Sequence, residues 1–328
     1  TVEVWYPAVA SAAAAAASGE TLHAFAAGHP AADDFAVLLA AAPTTCTSQH
    51  TGSARDAELD TGIAAGAALP VVLFSHCHQC GRYSSLSLAE RLASHGFLVV
   101  AADHTDNTLL DKLAGVTSPL GGKFLEVRAA DVRFVLDRLL DDQASDLPQW
   151  LRGRSDASRV GMMGHSFGSV TAGRVLQLDD RFRAGVGIFA PMANPLMPAV
   201  KLAEIDVPLL FFLASEDNSI GEIGNEFLRN NYAEAQPPVW LAEVVDAGHL
   251  SFSDICGIDA GFMAGCGDGL RQTDEGVPFS YLPMSETLAI GQAGVTAFFQ
   301  AWLNDDQVAH AWLDSGWPAH VVLSARTK

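Results

Sequence analysis

Short apolar runs alternate along the chain with longer amphipathic segments, and this alternation constrains the fold more than any other feature. Runs of about four to eight apolar residues are typical of strands that are buried on both faces of a sheet. The predicted strands cover 1–7, 70–75, 97–103, 160–165, 184–190, 207–214 and 239–245. The predicted helices cover about 31–42, 85–95, 123–140, 168–178, 222–234 and 284–303. This order predicts βαβ units, and therefore an α/β fold with a mostly parallel central sheet and helices on both faces.

The predicted sheet runs through nearly the whole chain, so we expect residues 1–328 to form a single domain with two insertions. The first insertion, at about 8–68, is Ala-rich and is expected to be loop apart from the helix near 31–42. The second insertion, at about 254–280, is a loop that contains two cysteines. Residues 310–328 are expected to form a tail with a short helix.

Composition excludes several classes of protein. With 49% hydrophobic and 17% charged residues, a chain of 328 residues is neither disordered nor a fibrous rod. The 38 acidic and 19 basic residues give a net charge of −19, which repels phosphate backbones, so we expect no nucleic-acid partner. The longest apolar stretches, such as 207–214, are shorter than the roughly 20 residues of a membrane-spanning helix. The oligomeric state stays open.

The motif G-H-S-F-G at 164–168 lies between a predicted strand and a predicted helix, which is the context of a nucleophile elbow. Gly164 and Gly168 flank a serine in a strained turn, where a side chain at either glycine would collide with a neighbouring element. We therefore expect Ser166 to present its hydroxyl at the edge of the sheet. The amide of Phe167 would lie at the helix N-terminus, where it can stabilise an oxyanion.

A serine nucleophile needs a histidine within hydrogen-bond reach. After Ser166 the chain contains only three histidines, His249, His310 and His320. His249 follows the predicted strand 239–245, whereas the other two lie in the C-terminal helix and tail. We therefore predict that His249 is the general base.

The acid of a triad in this architecture lies between the serine and the histidine along the chain. The predicted strand 207–214 is followed by Glu216 and Asp217, and the loop after 184–190 contains no carboxylate. We predict that Asp217 is the acid, with Glu216 as the alternative.

Several sequence blocks together resemble one family. They are V-E-V-W-Y-P, F-S-H-C-H-Q-C-G-R-Y, L-A-S-H-G-F-L-V-V-A-A-D-H, G-H-S-F-G and A-G-H-L-S-F. The chain thereby resembles the plasma-type platelet-activating-factor acetylhydrolases and their bacterial relatives, the predicted dienelactone hydrolases, within the α/β-hydrolase superfamily. The resemblance covers about residues 1–7 and 69–253. It implies an α/β-hydrolase fold and ester hydrolysis.

The resemblance also assigns residues. It places the family's serine and histidine on Ser166 and His249, and its oxyanion amides on Phe167 and His78. The family usually has glycine where this chain has Cys77. In the mammalian members the acid follows the earlier strand, so Asp217 would follow the bacterial arrangement.

Five cysteines allow one or two bridges. Cys256 and Cys266 lie in one Gly-rich loop and are predicted to form a disulfide. For the others, we favour a bridge from Cys46 to Cys77 or Cys80, and a Cys77–Cys80 bridge is the alternative. One cysteine should stay free. Bridges would place the chain in a secreted or periplasmic compartment, and free thiols would indicate the cytoplasm.

The chain begins in a predicted strand, without a start methionine or the parts of an export signal. We therefore expect that an upstream segment has been removed. A cleaved export signal and a trimmed sequence fit this beginning equally well.

The cluster of His and Cys at 76–80 contains zinc-ligand types, but no second C-x-x-C or distal His pair completes a tetrahedral set. We therefore expect no metal and no organic cofactor. Apolar Phe189, Met192 and Phe252 lie near the predicted triad and are candidates to line an acyl pocket. His104, at the end of the strand 97–103, is interpreted as structural.

The predicted function is that of a serine esterase or lipase that acts on small-molecule, lipid or polymer esters. Short-chain acyl esters are the substrate class that the motifs support best, and phospholipid acetyl esters and polyesters are candidate substrates within that class. The alternatives are an acyltransferase with the same triad and a non-catalytic binding protein with the same fold. A true dienelactone hydrolase is expected to carry cysteine in place of Ser166.

Overall fold

Eight strands form one sheet in the described part of the computed structural model. That part comprises residues 1–60, 62 and 68–327, without the side chain of Ser18. The strands of this sheet are β1 (Val2–Trp5), β2 (Leu69–Ser75), β3 (Leu98–Ala102), β4 (Ser155–His165), β5 (Phe182–Ile188), β6 (Leu209–Ala214), β7 (Val239–Val244) and β10 (Val321–Arg326). A separate short hairpin of β8 (Asp268–Leu270) and β9 (Pro278–Ser280) lies between β7 and β10 along the chain. Their order is β1-β3-β2-β4-β5-β6-β7-β10. The six inner strands are parallel and the two edge strands are antiparallel, which confirms the mostly parallel sheet.

Helices cover both faces of the sheet. The helices are α1 (Ala13–Ser18), α2 (Ala32–Ala41), α3 (Leu86–Ala93), α4 (Leu109–Leu113), α5 (Gly122–Leu139), α6 (Phe167–Leu178), α7 (Gly221–Glu234), α8 (Met284–Asn304) and α9 (Gln307–Ser315). In β2, Val72 and Phe74 pack with α3, α8 and α9, whereas Val71 and Leu73 pack with α5, α6 and α7. Because successive side chains of a strand point to opposite faces, both sets are buried, which explains the unbroken apolar runs.

The first insertion packs against the core. The rings of Phe25 and Phe35 lie 5.1 Å and 5.6 Å from that of Tyr83. Contrary to the expectation of loop, the poly-Ala run forms α1, because Ala has the highest helix propensity. Residues 61 and 63–67 of this insertion, and residue 328 of the tail, lie outside the described residues.

The tail contains the predicted short helix, α9, and then a strand that the sequence did not indicate. Residues 321–326 of β10 pair antiparallel with β7 along their full length. Their side chains are alternately half-buried and exposed, with one further exposed residue, as expected of an edge strand. The apolar V-V-L of the tail therefore completes the sheet.

The disulfides correct one prediction. Cys256 and Cys266 are bonded, as predicted, but Cys77 pairs with Cys80, and Cys46 is the free cysteine. Cys77 and Cys80 lie on one tight turn with their Cα atoms 5.2 Å apart, within the range that a disulfide spans. Cys46 instead packs at the second insertion, beside the Cys256–Cys266 bridge.

Among the described residues, no helix is long and apolar enough to cross a membrane.

Candidate active site

The turn between β4 and α6 holds Ser166 in a strained backbone conformation, with φ of 57°. The two flanking glycines allow this turn. A Cβ on Gly164 would lie 1.9 Å from the carbonyl oxygen of Gly168, and a Cβ on Gly168 would lie 1.9 Å from that of Ser75. Real Cβ atoms do not approach backbone so closely, so only glycine fits at either position. The sharp turn aims the Ser166 side chain away from the sheet.

Ser166, His249 and Asp217 form a continuous hydrogen-bonded chain. The Oγ of Ser166 lies 2.7 Å from Nε2 of His249, whose Nδ1 lies 2.8 Å from Oδ2 of Asp217. Asp217 follows β6, His249 follows β7, and both side chains are buried. The backbone amides of Ser219 and Ile220 each donate to Oδ1 of Asp217 over 3.0 Å, which fixes the carboxylate plane. With Nδ1 donating to Asp217, Nε2 of His249 can accept the serine proton.

Glu216, the alternative acid, faces away from His249. Its carboxylate accepts hydrogen bonds from Arg271 over 2.8 Å and from the amide of Gln272 over 2.7 Å, and also bonds to Thr273. Burial alone would raise the pKa of Glu216, but these hydrogen bonds outweigh it and lower the pKa. Glu216 thus anchors the second insertion to the end of β6, and Asp217 is the carboxylate that contacts His249.

Phe167 and His78, the residues predicted to supply the oxyanion amides, lie on two different segments that approach each other. Phe167 is the first residue of α6, and His78 lies on the turn after β2, with ring centroids 6.4 Å apart. In the described part of the chain, neither backbone amide donates to another protein group. Both amides are therefore available to donate to an oxyanion.

His165, which precedes the serine, is a site residue that the sequence did not identify. Its Nε2 donates to the backbone carbonyl of His249 over 2.7 Å, and its ring is completely buried. Burial, with a smaller effect of His249, lowers the pKa of His165 to about 3, so the ring is neutral. His165 therefore ties the elbow to the loop that holds His249. The only sequence signal was its place inside the elbow motif.

The predicted pocket residues Phe189, Met192 and Phe252 are completely buried. The rings of Phe189 and Phe252 lie 4.5 Å apart, and Met192 packs closely against Gly173 of α6. Their burial argues against the expected contact with substrate, and we assign them to the core beneath the site. An apolar residue near a triad looks the same in sequence whether it lines a pocket or supports one.

An apolar surface does lie beside Phe167. The ring of Phe167 is 6.3 Å from that of Phe124, and Met197 packs against the same cluster. The start of α5 borders a cavity of about 430 Å³, which is lined by residues 118–124 and Val127. Leu196 in the neighbouring loop has 78% of its surface exposed. This surface can contact the apolar part of a ligand.

The two cysteines of the stretch 76–80 are not available as metal ligands. The sulfurs of Cys77 and Cys80 are bonded to each other, so neither is a thiolate ligand. Within the described ranges, no group of three or more His, Cys, Asp or Glu is arranged to hold a metal ion.

Comparison with known proteins identifies relatives of the chain. A model described as the dienelactone hydrolase family matches residues 64–254, more than half of the chain. A probable 1-alkyl-2-acetylglycerophosphocholine esterase of Arthroderma benhamiae is 27% identical over 71% of this chain and 60% of its own length. The platelet-activating factor acetylhydrolase of Cavia porcellus is 28% identical over 49% of this chain and 43% of its own length. The chain thus spans at most about three fifths of these relatives.

Two further similarities are to a cutinase and to a solved esterase structure. Cutinase est1 of Thermobifida alba is 40% identical over 27% of the chain and 24% of its own length. The structure of a ferulic acid esterase from Streptomyces cinnamoneus matches with a TM-score of 0.65 and 23% identity, over 93% of this chain and 83% of that one. Together with the family match, this likeness shows the α/β-hydrolase fold.

Proposed function

The chain belongs to the dienelactone hydrolase family, and on that premise we propose that it is a serine esterase that hydrolyses carboxylic esters. One observation carries the proposal, namely the chain of contacts from Ser166 through His249 to Asp217, over 2.7 Å and 2.8 Å. The distances suit transfer of the serine proton to His249.

In the acylation step, Nε2 of His249 accepts the proton of Ser166 while Oγ attacks the ester carbonyl carbon. The carbonyl oxygen becomes an oxyanion, to which the amides of Phe167 and His78 donate hydrogen bonds. Asp217 stabilises the imidazolium ion of His249 and keeps its ring in place. The intermediate then collapses, and His249 returns the proton to the leaving alcohol.

The acyl-enzyme is hydrolysed by the same groups in reverse roles. His249 removes a proton from water, and the hydroxide attacks the acyl carbon. The second oxyanion forms at the same two amides, and its collapse releases the carboxylic acid. His249 returns the proton to Ser166, which restores the resting enzyme. The step needs no metal and no organic cofactor.

The surface beside Phe167 supports the proposed substrate class. An apolar cluster with Phe124 and Met197 suits an apolar acyl or alcohol group, and the net charge of −19 disfavours anionic esters. Small-molecule, lipid and polymer esters all meet these conditions. The relatives named as acetylhydrolases and cutinases support short-chain acyl esters, phospholipid acetyl esters and polyesters as candidates.

The test is hydrolysis of p-nitrophenyl esters of increasing acyl length by the wild type and by Ser166→Ala. The matched control is Ser94→Ala, on the exposed end of α3. We expect the wild type and Ser94→Ala to be equally active and Ser166→Ala to be inactive. Activity that survives in Ser166→Ala would overturn the mechanism.

Two further assays separate the alternatives. Labelling of Ser166 by a fluorophosphonate distinguishes an enzyme from a non-catalytic binding protein of the same fold. Product analysis with added alcohol distinguishes an esterase, which releases the free acid, from an acyltransferase, which forms a new ester.

The two disulfides support an oxidising location, because disulfides persist in exported proteins and are rare in the cytosol. We therefore propose a secreted or periplasmic location, with the cytoplasm as the alternative. Free Cys77 and Cys80 thiols in protein isolated from its native host would contradict this placement.

A further inference from the structure

Arg128 is a completely buried cation in α5, and within the described residues no carboxylate forms an ion pair with it, although the charge of Asp131 acts on it. Its side chain is among the largest that are fully buried. Among the described residues, no carboxylate oxygen lies within 4.0 Å of its nitrogens, and its Nε has no partner. Burial lowers the pKa of Arg128 to about 9. A buried charge is costly unless it is hydrogen-bonded, so the contacts that it makes are informative.

The guanidinium holds the segment that follows β2. One terminal nitrogen, Nη2, donates to the backbone carbonyl of His76 and to the hydroxyl of Ser75, the latter over 3.0 Å. The other, Nη1, donates to Oδ1 of Asn107 over 2.8 Å. The amide nitrogen of Asn107 in turn lies 2.7 Å from Nδ1 of His78. Arg128 therefore fixes the start of this turn directly and the His78 ring through Asn107.

The same guanidinium also contacts the other side of the site. Its central carbon lies 4.6 Å from the ring centroid of Phe167, a distance typical of a cation–π contact. Phe167 and His78 are the two residues whose amides stabilise the oxyanion in the proposed mechanism. Arg128 thus touches one of these two residues and holds the other through a single intermediate.

A relay of hydrogen bonds from Ser75 through His104 to Asp131 orients the Ser75 hydroxyl toward Arg128. Nε2 of His104 lies 2.9 Å from Oγ of Ser75, and Nδ1 of His104 lies 2.9 Å from Oδ2 of Asp131. Burial, and then the charge of Arg128, lower the pKa of His104, so its ring is neutral. Nδ1 then donates to Asp131 and Nε2 accepts the Ser75 proton, which leaves the Ser75 oxygen free to accept from Arg128.

This Ser-His-Asp relay resembles a second triad, but Ser75 is completely buried and no substrate can reach it. Its role is therefore to orient Arg128 and the segment after β2. The serine, histidine and aspartate come from the end of β2, the residues after β3 and helix α5. The relay joins three elements beneath one turn.

We propose that Arg128 is a positioning residue that sets the distance and direction of the His78 and Phe167 amides toward the reacting oxygen. This proposal rests on the proposed esterase function. A guanidinium can hold both segments at once because its donors form a rigid planar fork, which lysine lacks. Loss of the guanidinium should therefore raise the free energy of the transition state, in which the oxyanion forms, more than that of the bound ester.

The test compares the wild type with Arg128→Met and Arg128→Lys in kcat, KM and the Ki of an apolar trifluoromethyl ketone. The ketone forms an oxyanion with the active-site serine, so its Ki reports on the two amides. We expect kcat to fall roughly 10- to 100-fold in Arg128→Met, with KM within about 3-fold of the wild type and a parallel rise in Ki. Arg128→Lys should recover part of the loss. The control is Arg133→Met, on the same helix, whose partly exposed side chain pairs with Asp179.

Asn107→Ala keeps the proposal testable if the Arg128 variants fail to fold. This change removes the bridge between Arg128 and His78 and leaves the contacts of Arg128 with Ser75, His76 and Phe167 in place. We expect kcat to fall roughly 3- to 10-fold at unchanged KM, and the melting temperature to fall because Nη1 of Arg128 loses its partner. Wild-type kcat in folded Asn107→Ala, or a loss that appears in KM rather than in kcat and Ki, would overturn the proposal. Failure of the esterase function itself is a separate result, because the wild type would then show no Ser166-dependent activity.

Discussion

Replacement of Asp217 by Asn should lower kcat about 10⁴-fold while the fold stays intact. The structure fixes how the new side-chain amide must lie. Oδ1 of Asp217 accepts from the backbone amides of Ser219 and Ile220, each over 3.0 Å, so the oxygen of the introduced amide must occupy that place. Its NH₂ group then faces Nδ1 of His249. A donor at that position stabilises the tautomer with the proton on Nε2, and this tautomer cannot accept the proton of Ser166.

The magnitude follows from the cost of turning the amide round. The reversed amide would lose both hydrogen bonds to Oδ1 and place its NH₂ group against two buried donors, at a cost of about 3 kcal/mol. This cost leaves the productive tautomer in roughly one molecule in a hundred, because about 1.4 kcal/mol corresponds to a factor of ten. Loss of the carboxylate charge that stabilises the imidazolium ion supplies the remaining factor of about 10².

The assay is the steady-state kcat on p-nitrophenyl acetate, with the urea midpoint as a check on folding. Glu216→Gln is the matched control, because the neighbouring carboxylate bonds to Arg271 and does not touch His249. It should lower stability but keep kcat within about 3-fold of the wild type. The reasoning is wrong if Asp217→Asn retains more than about a tenth of the wild-type kcat, or if Glu216→Gln loses as much activity.

Two further changes test the backbone and the pH dependence. Gly168→Ala places a Cβ 1.9 Å from the carbonyl oxygen of Ser75, so backbone must move by more than about 1 Å, and kcat should fall about 10²-fold. Gly28→Ala, on an exposed turn of the first insertion where an added Cβ meets nothing within 4 Å, should leave kcat unchanged, and equal kcat values for the two variants would refute the argument. Burial raises the pKa of Glu90 from 4.5 to about 7, so the folded state binds the extra proton and its stability falls as pH rises through this window. Glu90→Gln should therefore gain about 3 kcal/mol over the wild type in urea unfolding between pH 4.5 and pH 8, and an identical pH dependence in both proteins would contradict the assignment.

The elbow turn, the inner strands and the loops that carry Asp217 and His249 were predictable from the sequence because their signals are local. Ser166 lies between two glycines that a strained turn requires, and His249 and Asp217 each follow an apolar run that only a buried strand needs. A strand buried on both faces tolerates few polar residues, so the sheet appears directly in the sequence. Asp217 and Glu216 are neighbours in sequence, and only the direction of their side chains in the structure shows that Asp217 is the one in contact with His249.

Other features depend on contacts between residues that are far apart in sequence, and the tertiary structure alone decided them. Cys46 was expected to pair with Cys77 or Cys80, but its place beside the second insertion leaves those two to pair with each other. An arginine in a helix is usually a solvated residue, and only the packing of α5 under the turn after β2 shows that Arg128 is buried. The physical reason is the same in both cases, because local patterns record which face of an element is buried but not which distant group meets it there.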